Sequence, residues 1–144
     1  MAAWRLLYAE TGARGSFELH TPGPKLVVSV AKGHLEERHI LPYIQQVNQL
    51  IARDGSVIIF HDWYEMTGYD TRVRVDWTKW SQERVKEIES THILVRSRVV
   101  AMGVRTAALA LSLVGARLSS YTGRDQFDAL LASHGVREPL RACS

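Results

Sequence analysis

The sequence predicts an α/β protein, with a mixed β-sheet that opens on an antiparallel meander and carries four helices. Three features predict it. Short alternating segments separated by Gly and Pro fill the chain through Ala31. Apolar residues then fall at helical spacing, and from Ser56 onward short β-branched runs alternate with further helical patterns. Strands that alternate with helices after a meander require crossover connections and a partly parallel sheet.

The meander comprises Trp4 to Glu10, Ser16 to His20 and Lys25 to Ala31. Thr11-Gly12-Ala13-Arg14-Gly15 and Thr21-Pro22-Gly23-Pro24 supply its turns. From Leu35 to Arg53 the period changes, with Ile40, Ile44, Val47 and Ile51 on one stripe. Pro42 lacks a backbone donor and belongs in a first turn, so the regular helix should start near His39 and stop at Asp54-Gly55. Ser56 to Asp62 is β-branched and almost continuously apolar, as a strand covered on both faces must be. Thr71 to Ile88 returns to helical spacing with Val73, Trp77 and Trp80 inward, followed by a strand at His92 to Arg96. Val99 to Val114 is a helix apolar on most sides, which implies a sheet on one face and a further cover on the other. Arg117 to Tyr121 is an edge strand and Arg124 to Ser133 a last helix. The order is β-β-β-α-β-α-β-α-β-α. Residues 1–134 read as a single domain, and 135–144 as a flexible C-terminal tail.

At 144 residues, with 46% hydrophobic and 23% charged content, the chain is sized and composed like one globular domain. Eighteen basic residues are offset by fifteen acidic ones scattered among them, so the pI near 9.2 does not make a nucleic-acid-binding stripe. The lone Cys143 permits no internal disulfide, and a cytoplasmic setting is expected. No export signal is visible at the start of the chain, and the Val99–Val114 run falls short of the ~20 apolar residues that span a bilayer.

No catalytic apparatus is visible. The six histidines lack metal-ligand spacing, no glycine loop fits a phosphate, and no nucleophile elbow or usable Cys-His pair occurs. Neither metal nor cofactor is expected. His61 beside Asp62 at a strand end is the one pair worth testing; an enzyme acting through His61 with Asp62 or Asp70 is the least favoured reading.

The informative stretch is Asp62 to Arg74, read as a strand end, a short polar loop and a helix start. Helix N-termini carry unpaired N–H groups and partial positive charge, and loops held by a rigid scaffold carry function. Asp62, Trp63, Tyr64, Tyr69, Asp70, Thr71, Arg72 and Arg74 are accordingly the candidate contact residues for a partner protein. Trp63, Tyr64 and Tyr69 are aromatics with a polar handle, which either pack this loop on its own domain or recognise a partner. Asp70 or Thr71 should cap the helix, accepting a backbone N–H.

With that order and loop, the chain resembles the STAS superfamily, specifically its bacterial SpoIIAA-like branch. The resemblance rests on VIIFHDW, the Gly68–Arg72 helix opening, HILVRS and the VAMGVRTAALAL helix, and spans about Leu26 to Leu131. It implies a regulatory module that docks another protein. In phosphoregulated members an Asp-Ser-Ser-Gly element opens the second helix, and a partner kinase phosphorylates a Ser. The matching residues here are Asp70-Thr71-Arg72-Val73. Arg72 stands at the usual acceptor position, which leaves Thr71 as the candidate phosphoacceptor. The apolar Val99–Val114 helix admits self-association as a homodimer. It also admits a pocket for a small apolar ligand or lipid, because the branch is similar in topology to CRAL-TRIO lipid carriers.

Overall fold

The computed structural model describes residues 4–136. Strands β1 (Arg5–Thr11), β2 (Gly15–Thr21) and β3 (Leu26–Leu35) lead through a 3-10 turn at Glu37–His39 into helix α1 (Ile40–Asp54). There follow β4 (Val57–Tyr69), α2 (Thr71–Glu83), β5 (Ile88–Val95), α3 (Arg98–Ser112), β6 (Leu118–Tyr121) and α4 (Arg124–Ser133). The six strands lie side by side in chain order, with β1 to β3 antiparallel and β3 to β6 parallel. The mixed sheet with its opening meander and four helices is as the sequence predicts.

Parallel strands added repeatedly in one direction place their crossover helices on one face, since such crossovers share a hand. α1, α2 and α3 accordingly cover one side of the sheet. Tyr43, Val47, Leu50, Val73, Trp77, Trp80, Val100, Val104 and Leu111 meet Val57, Ile59, Trp63, Ile93 and Val95 there. α4 covers the other side, where Phe127 and Leu131 pack with Leu26, Val28, Phe60 and Leu94. β4 is therefore apolar on both faces, which explains its unbroken VIIF run. Gly55 closes α1 at φ 88°, a conformation that disfavours other residues, and donates its N–H to the Ile51 carbonyl at 2.7 Å.

Three expectations are corrected. The segment after Asp62 is not a loop: β4 continues to Tyr69 because β3 is ten residues long and offers a ladder all the way to Leu35. Lys32 pairs with Glu65, Gly33 with Met66, His34 with Gly68 and Leu35 with Tyr69. The extra β4 residues are absorbed at irregularities between Val30/Lys32 and between Gly33/His34. Trp63 faces the three-helix side in step with Val57 and Ile59, and the first of these irregularities turns Met66 to that side as well. α2 also ends earlier than expected, at Glu83, and β5 begins earlier, at Ile88. The expected tail lies outside the described residues beyond Val136, which is itself buried with Phe127 and Leu131.

Candidate functional site

The eight sequence-selected residues separate into three groups, because neighbours on a strand point to opposite faces. Asp62 and Tyr64 face α4. Arg124 grips Asp62 with two hydrogen bonds, Nη1 to Oδ2 at 3.0 Å and Nη2 to Oδ1 at 2.8 Å. The Tyr64 ring receives the guanidinium groups of Arg96 and Arg124, 4.9 and 5.1 Å from its centroid. This group fastens the start of α4 to the sheet.

Trp63, Tyr69 and Arg74 belong to the opposite side. Trp63 is 8% exposed, stacked on His61 at 4.4 Å, and its indole N–H donates to the Ser29 hydroxyl at 3.2 Å. It is a core residue with a satisfied polar atom, in place of the loop aromatic expected from the sequence. With Phe17, His39, Tyr43, His61, Met66, Trp77 and Gly103, these residues line a cavity of about 40 Å³ between the sheet and helices α1 to α3. Tyr69 lies across α3 at Gly103, where a Cβ would stand 2.0 Å from its hydroxyl oxygen.

His61 is 1% exposed, and burial pushes its pKa down to about 3, so it is neutral at pH 7. Its Nδ1 lies 2.5 Å from the Ser29 hydroxyl. Tyr43 is equally enclosed, and burial pushes its phenol up. The His39 Nε2 and His61 Nε2 atoms have no hydrogen-bond partner among the described residues. His61 and Asp62 face opposite sides of the sheet, so they do not form a pair. Among the described residues, no group of three acidic, His or Cys side chains is placed to hold a metal ion.

Asp70, Thr71 and Arg72 sit at the start of α2. Asp70 occupies the cap position, but its carboxylate turns away from the helix. It accepts instead from His34 Nε2 at 2.8 Å and from the Glu37 backbone N–H at 2.9 Å, with Arg14 at 3.8 Å. The His34 bond, with the Glu37 N–H, holds this carboxyl below the usual range. Asp70 thus ties α2 to the end of β3 and the turn after it. Thr71 is exposed at the first helical position. Arg72 is exposed too and pairs with Asp76 at 3.2 Å.

Beside this end of α2 runs α3, which sequence reasoning took as covered on both sides. Its inner face is buried through Val100, Gly103, Val104, Ala107 and Leu111. Its outer face is not. Val99, Met102, Leu109 and Leu113 are 60, 65, 69 and 86% exposed. The missed signal was the double periodicity of this segment, in which one apolar stripe is enough to hold a helix on a sheet. No helix among the described residues is long and apolar enough to cross a membrane.

The sequence matches no protein-family model, and no curated protein matches it. Solved structures do match. An uncharacterized protein of the DUF3478 family from Shewanella loihica PV-4, with a SpoIIAA-like fold, superposes at a TM-score of 0.55 and 13% identity. The match covers 91% of this chain and 97% of that one. The anti-sigma factor antagonist SpoIIAA in its unphosphorylated form superposes at a TM-score of 0.59 and 16% identity, over 85% of this chain and 99% of that one. The strand order, the opening meander and the placement of the four helices, taken with these superpositions, identify the architecture of the chain as the SpoIIAA-like, STAS-type α/β fold.

Proposed function

We propose that this chain is a non-enzymatic, cytoplasmic regulatory module that docks another protein through the start of α2 and the adjoining outer face of α3. The observation that carries this reading is the uncovered stripe Val99, Met102, Leu109 and Leu113, since contiguous exposed apolar surface on a small domain marks an interaction site. In this reading the exposed start of α2, with Asp70, Thr71 and Arg72, belongs to the same docking surface, and Thr71 at the first helical position is its candidate phosphoacceptor, since a helix N-terminus favours a phosphate. One of the structurally similar proteins is an anti-sigma factor antagonist, which supports a regulatory reading. Trp63 is buried in the core and the partly exposed Asp62 and Tyr64 are engaged by Arg124, so in this reading the three act on docking by fixing the scaffold. The test is affinity capture with the wild type and with a Met102→Asp, Leu109→Asp variant whose melting temperature is unchanged. Loss of bound proteins supports the reading, and identical sets of captured proteins overturn it.

A second reading, binding of a small apolar ligand, is favoured by the cavity beneath the helices. Its 40 Å³ is well below the roughly 150 Å³ of an apolar cavity that admits benzene. The occupant would be a gas or a molecule of two or three heavy atoms, and a lipid chain does not fit. Xenon-induced shifts of the Trp63 and Trp77 indole resonances test it, and unshifted spectra remove it.

A further inference from the structure

The outer stripe of α3 has a finer pattern than exposure alone conveys. Its members are Val99, Met102, Thr106, Leu109 and Leu113, separated by three, four, three and four residues. That is the a/d spacing of a helix built to pack along another helix. Thr106 keeps the stripe apolar, because its hydroxyl is occupied by the Met102 carbonyl of the same helix at 3.0 Å. The stripe extends for about 21 Å at 1.5 Å per residue, long enough for four turns of a partner.

Charge decides what that partner is. If Val99 is an a position, Arg98 and Arg105 both stand at g, the positions that select partners by ion pairing. Both are exposed, and neither has an acidic partner among the described residues. α3 contains no acidic residue at all. A second copy is therefore a poor occupant. Antiparallel pairing of two α3 helices brings g positions together, Arg against Arg. Parallel pairing sets Arg98 and Arg105 against the e positions Gly103 and Ala110, which carry no charge.

We propose that the outer face of α3 is the docking seam for an acidic amphipathic helix, one that presents apolar residues at a and d and carboxylates beside them. This rests on the docking reading above and names its partner chemistry. The apolar stripe would supply affinity and the two arginines selection, since exposed ion pairs add little each but act with opposite sign on a wrong partner.

The experiment uses the full chain and two synthetic helical peptides with leucine at a and d, one with Glu at e and g, the other with Lys. Fluorescence anisotropy should show the acidic peptide binding about three- to thirtyfold more tightly than the basic one, a margin that shrinks as salt rises. Leu109→Asp should abolish binding of both. Arg98→Glu with Arg105→Glu should reverse the preference, and as all three residues are exposed, unchanged melting temperatures verify that the variants fold. Equal binding of the two peptides, or a preference the reversal leaves untouched, overturns the inference. So does light scattering that shows a dimer broken by Leu109→Asp. If neither peptide binds while Met102→Asp, Leu109→Asp still loses its captured proteins, the acidic-helix inference fails and the docking reading stands. If neither effect is seen, both fail.

Discussion

Gly103→Ala should destabilise the protein, although the same change inside an exposed helix ordinarily stabilises it. Gly103 lies in the interior of α3 with the Tyr69 ring against it. An alanine Cβ would stand 2.0 Å from the Tyr69 oxygen, 2.6 Å from Cζ and 2.9 Å from Cε1. All three are closer than real methyl contacts, so the ring must leave its site. Forcing a packed side chain aside costs about 1–3 kcal/mol. The gain in helix propensity from Gly to Ala is about 1 kcal/mol. The net expectation is about 0–2 kcal/mol of destabilisation, a value that propensity alone would give the opposite sign. Urea unfolding followed by circular dichroism measures it, and a double-mutant cycle isolates the cause. In a Tyr69→Ala background the obstruction is gone, and Gly103→Ala should stabilise by about 1 kcal/mol. The coupling between the two positions is then about 1–3 kcal/mol. Additive effects, or a single variant about 1 kcal/mol more stable than wild type, would refute the assignment of Tyr69 to this contact.

Ser29→Ala removes the acceptor of the Trp63 indole and the partner of His61 Nδ1 in a buried site, so a loss of about 2–3 kcal/mol is expected in the same urea assay. His61 is held neutral at a pKa of about 3 against an ordinary value of 6.5, so its contribution is whole above pH 6.5 and declines as pH falls toward 3. His61→Gln should flatten the stability profile in that window by about 1.4 kcal/mol per pH unit, and parallel profiles for the two proteins would refute it. Asp62→Asn weakens the two-pronged bond to Arg124, and because both groups are partly solvated, about 1–2 kcal/mol is expected. Hydrogen exchange should then rise at the first turn of α4 before any other helix.

The elements that local pattern dictates were legible. The turns at Gly12–Gly15 and Pro22–Pro24, the α1 stripe ending at Gly55 and the two-faced apolar run of β4 each follow from residues adjacent in sequence. What escaped was set at a distance. The extension of β4 to Tyr69 depends on the C-terminal half of β3, and Glu65 and Gly68 by themselves signal a turn. Trp63 reads as a loop aromatic until β4 is extended through it, in step with Val57 and Ile59, and Met66 joins that side only because an irregularity in the ladder shifts the alternation. The environment of His61 is likewise assembled from Ser29, Tyr43, Trp63 and Trp77 on four different elements, and no spacing within one element announces it. Asp70 was placed correctly at the head of α2, yet its bonds run to His34 and Glu37, which lie more than thirty positions earlier in the chain.

Every ladder in the sheet joins strands that are immediate neighbours along the polypeptide. No strand must wait for one made much later, and none is inserted between two that have already paired. During synthesis the sheet can therefore grow outward from the first hairpin, each emerging strand meeting a ready edge and each connecting helix settling as its strand docks. The last strand, β6, is only four residues long; it closes that advancing edge with little backbone left open for another chain to join.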